Sequence, residues 1–134
     1  DRIWAEHDCL YPDSPFSFWL YRWDRASRSF VDVTAGGEYS FDVYLEFLES
    51  LLRPDAPFYP EGEIGPLVSI LLLYDKSGQR EAGWARFLEL ADEKNWPGTS
   101  EKALQWLRAD VAHFRVEYEA GRPFTPNRAG LCEP

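Results

Sequence analysis

The sequence predicts an α+β fold, an N-terminal antiparallel hairpin followed by three to four packed helices. Three observations carry this. Residues 16–34, FSFWLYRWDRASRSFVDVT, form two β-prone runs around a polar turn. Downstream, apolar residues recur every three or four positions, the helical period. The chain of 134 residues is 45% hydrophobic and 16% aromatic, enough to build a core without staples. The whole chain, 1–134, reads as one domain. Residues 1–15, broken by Pro12 and Pro15, and the tail 122–134, with Pro123 and Pro126, read as irregular.

In the hairpin, strands are expected at about 16–23 and 29–34 with the turn DRASR between them. One face of the first strand carries Phe16, Phe18 and Leu20, and the other carries Trp19, Tyr21 and Trp23. Both faces are therefore apolar, where a hairpin at the edge of a small domain keeps one face polar. Either helices cover both faces, or the Trp19/Tyr21/Trp23 face stays partly exposed to anchor a partner. Six tryptophans are more than a core of this size hides completely.

Ser40 is placed to cap a helix over 40–53, with Asp42 in its first turn. Phe41, Tyr44, Leu45, Leu48, Leu51 and Leu52 give it a core stripe, Asp42, Glu46 and Glu49 fall opposite, and Arg53-Pro54 stops it. The loop PDAPFYPEGEIGP follows, with Phe58 and Tyr59 beside acids. The run PLVSILLLYDKSG lacks clean periodicity and fits a buried strand or a buried helix; Pro66 at its start and Gly78 past its end favour the helix. Residues 79–95 read as an amphipathic helix with Trp84, Phe87, Leu88 and Ala91 inward. A last helix, capped by Thr99 or Ser100 and ended by Gly121, carries the seam Leu104, Leu107, Val111, Phe114 and Tyr118.

The net charge is −9 and unevenly spread. Residues 1–65 hold 13 acids against 5 bases, and residues 66–134 hold 10 against 9. Between 32 and 63 the acids Asp32, Glu38, Asp42, Glu46, Glu49, Asp55, Glu61 and Glu63 face Arg53 alone. A field of this sign repels nucleic acid and anionic membranes and attracts a basic partner. The only basic cluster, Arg22, Arg25 and Arg28 at the hairpin tip, is too small to hold phosphates against that background. No apolar run approaches the length of a membrane span. The two cysteines, Cys9 and Cys132, read as free thiols of a cytoplasmic protein, a single disulfide between the chain ends being the alternative.

Chemistry is sparse. His7 lies in EHDC, whose consecutive residues do not converge on a metal. His113 shares a helical face with Asp110 and Glu117. An imidazole oriented by carboxylates could do acid–base work, but the spacing reads first as a surface ion-pair ladder. No nucleophile motif, phosphate loop or metal motif occurs. The expectation is a protein that is not an enzyme and uses no cofactor or metal.

Small, acidic, aromatic-rich and without catalytic signature, the chain resembles the immunity proteins of bacterial toxin systems. That resemblance implies an inhibitor that binds a basic cognate toxin, for instance a nuclease, and no nucleic acid or membrane. The expected contact set is Asp32, Glu38, Asp42, Glu46, Glu49, Asp55, Tyr59, Glu61 and Glu63 with Trp19, Tyr21 and Trp23. Two other readings compete. One is an adaptor or regulatory domain that binds through the last helix around Arg108 and Arg115. The other is a small hydrolase built on His113.

Overall fold

A computed structural model describes residues 20–36, 40–53, 55, 64–96, 100–125 and 127. A two-stranded antiparallel hairpin, β1 (Tyr21–Asp24) and β2 (Ser29–Asp32), is followed by α1 (Asp42–Ser50), α2 (Ile64–Lys76), α3 (Arg80–Leu90) and α4 (Glu101–Glu119). This is the α+β order expected. The strands are shorter than the β-prone runs, and residues 16–19 of the first run lie outside the described residues. The turn closes on Asp24, whose carboxylate accepts from the backbone of Ser27 at 2.8 Å, while Arg28 takes the left-handed φ of 50°.

α2 settles the strand-or-helix alternative. It is a helix whose first ten residues, Ile64 to Leu73, are all buried. A helix enclosed on every side needs no polar face, which is why its sequence shows no period. Its one hydroxyl in that stretch, Ser69, donates to the Gly65 carbonyl at 2.8 Å. Gly78, at φ 80°, ends α2 in a Schellman arrangement: Gln79 N–H donates to Tyr74 O and Gly78 N–H to Asp75 O. α4 ends the same way on Gly121 and begins on Ser100, whose hydroxyl accepts from Ala103 N–H at 3.1 Å.

Two helices are shorter than their periodicity suggests. α1 begins at Asp42, with Ser40 Oγ accepting from its N–H, and ends at Ser50, where tight i−3 bonds from Leu51, Leu52 and Arg53 unwind the chain ahead of Pro54. α3 ends at Leu90 rather than 95 because Asp92 captures the following backbone, accepting from Lys94 N–H at 3.1 Å.

The core gathers Leu48 of α1 and Leu52 just after it, most of α2, Trp84 and Phe87 of α3, and Leu107 and Phe114 of α4. α3 crosses α2 closely at Gly83, where an added Cβ would lie 2.3 Å from the Tyr74 Cβ. The tail departs from expectation. It has no regular structure at 122–125, but Phe124 is 5% exposed and belongs to the core. Its ring stacks near Trp84 and Tyr118 and meets Phe114 edge-on, with the Arg80 guanidinium 3.9 Å above it.

Candidate functional site

The hairpin register pairs Tyr21 with Asp32 and Trp23 with Phe30. Residues opposite each other share a face, so Tyr21, Trp23, Phe30 and Asp32 project together. This face is open to solvent: Tyr21 is 58%, Trp23 51% and Phe30 68% exposed. Cover on both sides is therefore not what the structure has. The other face, with Leu20, Val31 and Val33, turns inward, and Leu20 packs on the core. Trp23 and Phe30 hold each other edge-to-face at 5.2 Å between ring centres, a preorganised pair. Given about 200 Å² per aromatic side chain, the three rings leave on the order of 350 Å² in water.

A second apolar patch lies on α1. Phe41, Leu48 and Leu52 are buried as the stripe requires, but Tyr44, expected on that stripe, is 48% exposed and stands with Val43 and Phe47 on the outer side. Asp42 and Glu46 flank them, both exposed. The two patches approach the same end of the molecule. Ala35, just after β2, lies against Gly78, and Lys76 is close enough to Asp32 to help lower its pKa. A shallow depression of about 110 Å³, lined by Ser40, Phe41, Asp42, Leu45, Leu73, Tyr74, Ser77 and Gln79, joins the start of α1 to the end of α2. It is well short of the roughly 300 Å³ that holds a small-molecule ligand.

The acids have unequal roles. Asp32 accepts from the Thr34 hydroxyl at 2.6 Å and the Thr34 N–H at 2.8 Å, and these bonds hold its carboxyl below the ordinary 3.8. Glu49 is engaged within the fold: Arg86 reaches it with two parallel bonds of 2.8 and 2.6 Å, and Arg86 also pairs with Glu89. The guanidinium is held even more firmly protonated by those carboxylates. Asp55, like Asp42 and Glu46, is exposed. Trp19, Glu38, Tyr59, Glu61 and Glu63 lie outside the described residues, as do Cys9, Cys132 and His7.

The residues of the competing readings serve the fold. The His113–Glu117 pair implied by the spacing is present, with Nε2 3.6 Å from the carboxylate, but it is not on the open surface, because the tail covers that face and Asp110 and Glu117 are buried. Glu117 accepts from the Thr125 N–H at 2.7 Å and the Thr125 hydroxyl at 2.5 Å, and His113 Nε2 donates to the Thr125 carbonyl at 2.7 Å. Arg80 completes the strap by donating to the carbonyls of Arg122 and Glu117. Arg108 is bound by Glu93 through bonds of 2.8 and 2.9 Å, which hold the Glu93 carboxyl below its ordinary value. Arg115 lies over the Trp84 ring at 5.9 Å.

Among the described residues no group of His, Cys, Asp and Glu is arranged to hold a metal ion. No helix among them is long and apolar enough to cross a membrane. Comparison of the chain with protein-family models, curated proteins and solved structures gives no match. What the sequence did not single out is Phe30, Val43 and Phe47. Phe30 follows from hairpin register, and Phe47 and Val43 follow from reading α1 for a second apolar row beside the core stripe.

Proposed function

We propose that this chain is an immunity-type inhibitor, a cytoplasmic protein that neutralises a basic toxin by binding it. The carrying observation is the outer hairpin face, where three aromatic side chains stand in water beside the ionised Asp32. Aromatic anchors supply much of the binding energy in protein interfaces, because they bury large area at low entropic cost. The exposed acids Asp32, Asp42, Glu46 and Asp55, within a chain of net charge −9, supply steering toward a cationic surface. A nuclease is the toxin class that suits this surface best, since its substrate-binding groove is cationic and carboxylates can stand in for phosphates there. Glu49 is already paired with Arg86 and would add less to the steering field than the exposed acids Asp42 and Glu46 of α1.

The test uses the tagged chain as bait in lysate of the source organism at low and high salt. The expected result is a basic protein retained at low salt and weakened at high salt, toxic when expressed alone and harmless when co-expressed with this chain. With that partner in hand, the double variant Asp42→Lys/Glu46→Lys is expected to slow association at least about tenfold, and Trp23→Ala to speed dissociation. Unchanged affinity in both variants would reject the surface. Retention of a neutral multi-subunit assembly would reject the inhibitor reading.

A further inference from the structure

We propose that the outer edge of β2 is a strand-addition site, taking an extended segment of the partner in which a basic residue and an apolar residue are spaced two apart. This rests on the basic-partner reading above and adds the form of the contact.

The edge follows from the hydrogen-bond register. Val33 N–H donates to Leu20 O at 2.9 Å, so Leu20 and Val33 form a hydrogen-bonded pair. Antiparallel ladders alternate, which makes Arg22·Val31 and Asp24·Ser29 hydrogen-bonded pairs, and Tyr21·Asp32 and Trp23·Phe30 the non-bonded pairs between them. The close approach of the Trp23 and Phe30 rings agrees, since side chains of non-bonded pairs lie nearer. At non-bonded positions the backbone N–H and C=O point away from the neighbouring strand. Those of Phe30 and Asp32 therefore point outward along the edge of β2, and no described residue bonds to them.

Native edges are usually blunted by lysine, proline, a bulge or a covering element. β2, with the sequence SFVD, has none of the first three. Its two-stranded sheet is also below the three strands that usually make a stable β unit. Charge selects β2 over β1. On the outer face β1 presents the uncharged Tyr21 and Trp23, whereas β2 presents Asp32. Phe30 and Asp32 are two residues apart on one face, so the side chains opposite them on an added strand are also two apart. One packs on the Trp23–Phe30 pair and the other, Lys or Arg, reaches the Asp32 carboxylate.

The experiment titrates the isotopically labelled chain with three capped eight-residue peptides and follows backbone amide resonances. One repeats Lys-Thr-Val-Thr, so that Lys and Val fall two apart on one face, the second is the same peptide N-methylated at its Lys and Val amides, and the third has Thr in place of each Lys. Because the modification is on the probe, the hairpin itself is unaltered. For the first peptide, the amides of Phe30 and Asp32 are expected to shift and to exchange with solvent more slowly. N-methylation is expected to weaken binding at least about tenfold, and the Thr/Val peptide to bind more weakly than Lys/Val. Strand addition is overturned if the Lys/Val peptide fails to bind at millimolar concentration, if N-methylation has no effect, or if the shifts map to Val43 and Phe47 of α1. If the Thr/Val peptide binds as tightly as Lys/Val and N-methylation still weakens binding, the edge stands and the basic-partner reading falls.

Discussion

Replacing Phe124 with alanine tests whether the irregular tail is part of the folded core. Phe124 is 5% exposed and sits among Trp84, Phe114 and Tyr118 with the Arg80 guanidinium 3.9 Å above its ring. Emptying a buried phenylalanine site costs about 3–5 kcal/mol in transfer and cavity terms. The lower end applies here, because a segment held by the side-chain bonds of Thr125 can settle partly into the space. Loss of the cation–π contact adds about 0.5–1 kcal/mol, for an expected total near 4 kcal/mol. Against the 5–15 kcal/mol typical of a domain this is a large fraction. Urea unfolding followed by tryptophan fluorescence should show the midpoint falling by about 2 M at an unchanged slope of about 2 kcal/mol/M. Thermal unfolding should drop by more than about 10 °C. A loss under about 1 kcal/mol would refute the packing of the tail and with it the structural account of Glu117 and His113.

Gly83→Ala should destabilise by at least about 2 kcal/mol in the same assay, because the new methyl would lie 2.3 Å from the Tyr74 Cβ and α2 and α3 would have to part. Arg86→Ala should cost about 1 kcal/mol by breaking a bidentate, partly screened pair with Glu49, and the loss should shrink in 1 M salt; an equal loss at both salt levels would point to lost packing instead. Asp32 has a lowered pKa in the folded state through its bonds to Thr34, so its contribution is present above the ordinary carboxylate pKa of 3.8 and fades as pH falls through the lower folded value. In Asp32→Asn, therefore, the acid-side decline of hairpin order, read from the amide resonances of Tyr21 to Asp32, should be shallower than in the parent chain.

The hairpin-then-helices order was legible because it rests on local signals. Turn residues, caps at Ser100 and stops at Gly78 and Gly121 act within four or five residues of themselves. The seam of α4 was legible for the same reason, since only one side of that helix meets the core at Leu107 and Phe114. The periodicity of α2 was silent because a helix buried on all sides carries no polar phase to read.

The candidate surface was legible only in part. Alternation put Tyr21 and Trp23 on one strand face, and composition placed acids near them in the chain. Phe30 joins them only through the pairing register, a relation between two strands that neither strand encodes alone. Helical spacing placed Glu49 opposite the α1 core stripe, but its binding by Arg86, 37 residues away, depends on how α3 packs. His113 and Glu117 were correctly placed on one face, yet what covers that face is the tail folding back to put Thr125 over them.

By itself, then, the sequence determined the order of the elements, some of their caps and stops, most of the inward stripes, and that the chain is acidic and rich in aromatic residues. Only the tertiary structure decided which of those acids and aromatics remain in water. Exposure depends on which other segments come to rest on a residue. Those contacts join positions tens of residues apart, and their energy arises only when both partners have been placed.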